Sequence, residues 1–265
     1  MIRVALALAH REFIRFIRQP QRVVGTVAQP ILFWLFLGSG FSSSFRAPGM
    51  EHISYLEYFY PGVMLMMMLF ASIFSSITII EDRDAGFLQS VLVAPVSRLS
   101  IVLGKVLGGT AIAMVQTLIF TIAAPFLGLS LGLGSLALLI GAYVLTSMGF
   151  AAMGFLFAWP MRSSSGFHAI MMVFLMPLWM LSGALFPIEK VPGWLHILMT
   201  INPVAHALVL MRMPFYMTAE QALSDQRYLT ALAVTVLWTA VCLLGSMRRV
   251  EKRDRGLVQT SLTPH

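Results

Sequence analysis

The chain has 265 residues, enough for one large soluble domain or two small ones. Charged residues make up 11% of it, where a soluble domain carries about 25%, and hydrophobic residues 58%, against about 45–50%. So few charges cannot cover a folded body of this size in water, which excludes a soluble domain and places the chain in a bilayer.

The N-terminal segment is the first informative element. Arg11, Arg15, Arg18 and Arg22 fall at helical spacing within an arc of about 60°, and Phe13, Ile14, Phe16 and Ile17 lie opposite. This pattern predicts an interfacial helix over residues 1–22, lying on the lipid of the inner leaflet and ended by Pro20. It would be an anchor or a mechanical part; the pattern fits both. The early apolar run, residues 4–9, is too short for a cleavable signal and is followed by more arginine.

A spanning helix needs about 20 mostly apolar residues. Six stretches qualify: residues 23–41, 59–80, 103–126, 136–158, 167–185 and 228–247. None has an Asp or Glu in its interior, and their only basic groups are Lys105, near an end, and His168, at a start. The expected fold is therefore an all-α membrane protein, one transmembrane domain over residues 1–265 with a tail from 248.

Between the second and third spans, Glu81, Asp82, Arg83 and Asp84 put four charges at the span's mouth. A short amphipathic helix is expected over residues 84–93, with Phe87, Leu88, Val91 and Leu92 on one face and Pro95 ending it. A rigid charged elbow of this kind suits a lever on which a cytosolic partner pushes; a plain interfacial loop helix would look the same. Between the fifth and sixth spans, residues 186–213 are apolar but cut by Pro187, Pro192, Gly193 and Pro203, with Pro214 just beyond. That many breakers exclude a continuous helix and predict short helices re-entering from outside, with Trp194 and His196 near the outer interface.

Lysine and arginine set the orientation. Five lie before the first span, three in and around the second-to-third loop, one after the fourth span and five in the tail, fourteen on one side. Only Arg46, Lys190, Arg212 and Arg227 fall on the other. Both termini are expected in the cytoplasm of a multi-pass plasma (inner) membrane protein. The net charge of +7 is mostly this bias, and no nucleic-acid partner is expected.

Catalytic signals are weak. The only Gly-Lys pair, Gly104-Lys105, lacks the rest of a phosphate loop. The six histidines show no metal-ligand spacing, so no metal site is expected. Gly128-Leu129-Ser130-Leu131-Gly132 matches the spacing of a nucleophile elbow but sits in an outer loop between helices, where a turn is the simpler reading. Spans without carboxylates argue against ion coupling, because a coupling ion needs a ligand in the bilayer. Cys242, the single cysteine, supports no disulfide framework. Met64 and Met68 in the second span, and Met172, Met176 and Met180 on one face of the fifth, are either ordinary packing or an adaptable wall for an apolar substrate.

Asp82, Arg83, Asp84, Gly86 and Leu88, followed by Pro95, Ser97, Arg98, Gly104 and Lys105, resemble a motif run of the ABC-2-type transporter permeases. Phe87 and Gln89 depart from that family's usual Thr and Glu. A second match runs from Leu181 to Glu189, with Pro192, Trp194, Asn202 and Pro203, and resembles the family's fifth span and outer re-entrant segment. The arginine-rich N-terminus followed by Gln29-Pro30 also fits.

The resemblance implies a permease half of an ATP-driven exporter, paired with a second copy and with cytoplasmic ABC ATPase subunits on separate chains. ATP and Mg would sit on those partners, leaving this chain without catalytic residues or cofactor of its own. Glu81, Asp82, Arg83, Asp84, Gly86, Leu88, Pro95 and Arg98 would then form the coupling element. Uncharged spans rich in Met and Phe favour a hydrophobic or amphipathic cargo, drug-like or lipid-like. A glycan or lipo-oligosaccharide is the alternative cargo, and an ion-coupled transporter or channel a remoter one. Gly104-x-x-x-Gly108 permits a close helix contact, within or between subunits.

Overall fold

A computed structural model describes residues 1–41, 53–94, 96–129 and 131–261. Of the residues named above, Arg46, Pro95 and Ser130 lie outside them, as do two of the six histidines, His52 and His265. Among the described residues the chain is helical with no strand. Helix α1 (Ile2–Ile17) leads into α2 (Pro20–Gly40). Helices α3 (Tyr55–Ser75) and α4 (Ile77–Asp84) form one long span broken at Ser76, and α5 (Phe87–Val93) turns off its end. Then come α6 (Arg98–Thr121), α7 (Leu133–Ala158) and α8 (Ser164–Trp179), which continues into one π-turn, Met180–Ala184. Three short helices, α9 (Gly193–Ile201), α10 (Pro203–Tyr216) and α11 (Ala219–Ser224), precede α12 (Gln226–Ser261).

Among the described residues six helical stretches are long and apolar enough to cross a membrane: Pro20–Gly40, Tyr55–Asp84, Arg98–Thr121, Leu133–Ala158, Ser164–Ala184 and Gln226–Glu251. Each overlaps one expected span. The third starts earlier than expected because Ser97 caps α6, its hydroxyl accepting the Ser100 N–H at 3.3 Å. It ends earlier because Pro125 falls in a short 3-10 turn, Ala124–Leu127, closed by Gly128 at φ 76°. α9 and α10 meet at 79° across Asn202, so the proline-cut segment is a bent pair rather than one straight helix. Asn202 holds the bend: its Oδ1 accepts the Val204 N–H and its Nδ2 donates to the Leu178 carbonyl, at 3.0 and 2.7 Å. Pro214, expected as a breaker, sits inside the last turn of α10.

Helix α3 is apolar on every side and is accordingly the central helix, packed by α2, α6, α7 and α10. Small residues let the helices close on it: Ser75 and Ala151 meet Gly109 of α6, and Ile73 backbone and Ser76 meet Gly154 of α7. At the other extreme α2 is barely covered and presents Val24, Leu32, Leu35 and Phe36 outward.

The N-terminus corrects one expectation. Pro20 does not end an arginine-rich helix over residues 1–22; it opens α2, and α1 stops at Ile17 with Arg18 as its cap. Proline lacks an N–H but fits the first turn of a helix, where that donor has no partner anyway. Arg22 therefore belongs to α2 and donates to the Phe74 carbonyl at 2.7 Å. α1 lies along α6, with Ala5 and Leu8 against Gly104 and Ala9 and Glu12 against Gly108. The Gly-x-x-x-Gly contact is thus made within the chain.

Candidate functional site

The charged elbow and the helix that braces it stand at the end of the bundle where α1 and α5 meet. Asp82, on the last turn of α4, is buried. Arg11 donates to both its carboxylate oxygens, at 3.0 and 2.9 Å, Arg15 adds a bond of 2.8 Å, and Lys105 Nζ reaches it at 2.5 Å. Lys105 also donates to Glu12 at 2.7 Å and to the Thr78 hydroxyl at 3.1 Å, so each of its three N–H groups has an acceptor. Arg15 continues to Glu81 at 2.6 Å, and Arg11 to Glu12 at 3.1 Å.

Three cations thus face three carboxylates in one connected cluster. Its net charge is zero, which is the condition for keeping Asp82, Glu12 and Lys105 out of water together. The Arg11 guanidinium is raised above its usual pKa by its hydrogen bond to Asp82, in spite of its partial burial. It also stacks over the Phe87 ring at 3.8 Å. One arginine therefore joins α1 to both arms of the elbow.

Arg83 fastens the elbow to another helix. Its two terminal nitrogens donate to the Trp159 and Met161 carbonyls, each at 2.6 Å, just past the end of α7. These carbonyls have no partner within their own helix, so a charged fork is a strong closure for them. Gly86 makes the turn from α4 to α5 at φ 76°, in the left-handed region that only glycine enters without strain.

The expected coupling residues therefore divide. Leu88 and Asp82 are buried, Glu81, Arg83 and Arg98 are half-buried, and Asp84 and Gly86 are exposed. Sequence alone treats Glu81 to Asp84 as a charged mouth open to a partner, whereas Asp82 and Arg83 are turned inward and spent on holding the elbow. The open face consists of Asp84, Gly86, Gln89, Ser90 and Val93, with Val93 88% exposed. Arg98 is the first residue of α6, directly after the Ser97 cap.

Four members of the cluster were not in the expected coupling set: Glu12, Arg11, Arg15 and Lys105. A signal for two of them existed. Glu12 is the only acidic residue among the first 50, and Lys105 the only lysine inside a span. Isolated charges of opposite sign in apolar surroundings have to find partners.

The methionines expected on a substrate path divide as well. Met64 and Met68 are fully buried in the core around α3, where they fill space between helices. Met172 and Met176 of α8 are half-buried against the core, and Met180, the first residue of the π-turn, is exposed. In the second motif, Gly183 takes φ 85° inside the π-turn, and its carbonyl accepts from the Tyr58 hydroxyl at 3.0 Å and from Arg212 at 2.9 Å. Gly62 lies against Ala184, and Trp179 donates to the Gly62 carbonyl at 2.8 Å, pinning the turn to α3.

The family described as ABC-2 type transporter matches residues 3–216, a stretch that includes α1, the elbow and the bent pair α9–α10. A protein of Cyanophora paradoxa named "Putative transport permease ycf38" is 30% identical over 211 residues, 78% of this chain and 72% of its own length. Its namesake in Porphyra purpurea is 26% identical over 205 residues, 76% of this chain and 70% of its own.

Proposed function

The chain belongs to the ABC-2 type transporter family, as a multi-pass membrane transport permease, and from that premise we propose that it is the pathway-forming half of an ATP-driven exporter. Its ATPase is a separate cytoplasmic chain, which carries ATP and Mg and seats against α5. The observation that carries this reading is the braced elbow: one face of α5 is open, while the elbow behind it is tied to α1, α6 and α7 by charge.

Such a bracing turns a push on α5 into a movement of the helices themselves. Arg11 and Arg15 carry it to α1, Lys105 to α6, and Arg83 to the end of α7. Closure of an ATPase pair on ATP would displace the elbow, and the cluster would shift those helices with it, because a buried, neutral charge cluster resists coming apart. The chain's own residues do no bond chemistry in this scheme. The excess of Lys and Arg at the elbow end supports a cytoplasmic location for that end and both termini. Helix α1 would then lie in the inner leaflet with Ile2, Leu6 and Ile17 toward lipid, and Arg11 and Arg15 toward the elbow. The bare apolar side of α2 would face lipid or a second copy, and spans whose charges gather at the elbow end suit a hydrophobic or amphipathic cargo.

The test is co-purification from mild detergent, with ATPase activity measured on what accompanies the chain. Val93→Asp, at an 88% exposed position, should abolish that association and leave the thermal unfolding of the permease unchanged. An ATPase that stays bound at full stoichiometry to Val93→Asp and to Asp84→Lys would refute docking on α5.

A further inference from the structure

At the end of the bundle opposite the elbow a cavity of about 330 Å³ opens between the start of α3, the π-turn, and α10. Its walls are largely apolar, with Met199, Leu208 and Met213 among them, and Arg212 of α10 lines it. This arginine differs from every cation of the elbow cluster: it makes no ion pair among the described residues. Its contacts are with neutral groups. One terminal nitrogen donates to the Tyr58 hydroxyl at 3.2 Å, the other to the Gly183 carbonyl at 2.9 Å, and the guanidinium lies 4.2 Å from the Tyr58 ring centre.

A guanidinium has five N–H donors, of which two are used here. Its Nε is buried and has no acceptor among the described residues. With no surface open to the cavity, that nitrogen is closed to a ligand, and the N–H groups left to meet one are the second on each terminal nitrogen. Neutral acceptors orient a charge without cancelling it, and an uncancelled charge beside largely apolar walls is unfavourable until an anion joins it. Tyr58 and Gly183 hold the planar fork rigid, the arrangement that suits two-point contact with a carboxylate or phosphate. Arg227 lines the same cavity but is spent on Asp225, at 3.2 Å. His206 also lines it, with its Nε2 2.9 Å from the Thr200 carbonyl. The carboxylate of the lining, Glu189, is exposed and belongs to the rim.

We propose that this cavity receives the anionic head, a carboxylate or phosphate, of an amphipathic molecule, with Arg212 as its counter-ion and the apolar wall against its chain. The proposal rests on the amphipathic-cargo part of the function above and narrows it to anionic amphipaths. An exported molecule and a resident bilayer lipid share this chemistry.

The test measures binding to the purified full chain in an uncharged maltoside, with three probes: dodecanoate, dodecanol and acetate. Dodecanoate should bind at least about tenfold more tightly than either of the others, since it alone brings both a charge for Arg212 and a chain for the apolar wall. Arg212→Gln should erase the preference for dodecanoate over dodecanol, and Arg212→Lys should retain part of it. Met213→Trp, which fills the cavity and leaves the arginine in place, should weaken dodecanoate binding by a similar factor. Equal binding of dodecanoate and dodecanol would overturn the proposal, as would a full preference in Arg212→Gln or acetate binding as tightly as dodecanoate. Repeating the titration in bilayer discs with and without phosphatidylglycerol separates the two sources: displacement of dodecanoate supports a resident lipid, and undiminished binding an exported molecule. The readout needs no ATPase, so failure here leaves docking on α5 standing, and loss of docking leaves this site standing.

Discussion

Replacing Lys105 with methionine tests the charge cluster most directly. Methionine keeps the apolar stem and volume but removes the ammonium, and with it the bonds to Glu12, Thr78 and Asp82 at 2.7, 3.1 and 2.5 Å. Asp82 still has three hydrogen bonds from Arg11 and Arg15. Glu12 keeps only the 3.1 Å contact with Arg11, so the damage falls on a buried carboxylate and the cluster passes from neutral to one negative charge. Removing one partner of a buried pair costs about 3–5 kcal/mol. Adding Glu12→Gln restores neutrality and should return about 1–3 kcal/mol, the coupling expected of residues in one ionic network. The assay is the denaturant midpoint of the full chain in lipid discs, with all four members of the cycle measured. A Lys105→Met stability within about 0.5 kcal/mol of the parent would show that the ammonium does not hold the cluster together, since that is the range of an ordinary surface change. So would a double variant no more stable than Lys105→Met alone.

Gly108→Val would drive a Cβ to 2.7 Å from Glu12 Cβ, costing about 1–3 kcal/mol and raising hydrogen exchange through α1; Gly141→Ala, with nothing within 4 Å, should be neutral or slightly stabilising. Unchanged exchange in Gly108→Val would show that α1 does not depend on this contact. Arg83→Ala removes the two bonds to the Trp159 and Met161 carbonyls and should cost about 2–4 kcal/mol, read as a lower unfolding midpoint. Asn202→Ala loses both the cap on α10 and the bond to Leu178, about 2 kcal/mol; an unshifted midpoint would mean that the prolines alone hold the bend.

Features that depend on local composition and length follow from the sequence alone. Six apolar stretches of spanning length, the breaks at Pro187, Pro192 and Pro203, and the short helix after Gly86 were all legible, because hydropathy, missing N–H groups and φ preferences act over a few residues. The family resemblance was legible for the same reason, in the runs around Glu81 and Ser182. Tertiary structure decided which charges meet. Glu12 pairs with Lys105 across 93 positions and Arg11 with Asp82 across 71, and neither follows from the pattern of either segment. The helical arc of arginines pointed to lipid; packing of α1 on Gly104 and Gly108 rotated two of them onto Asp82 instead. The methionines behaved likewise, since spacing puts Met172, Met176 and Met180 on one face, but only the neighbours of α3 made Met64 and Met68 core. The physical reason is one of range. Apolar burial and backbone preference are properties of a segment, whereas the energy of a buried charge belongs to its partner, and only the packing of helices supplies the partner.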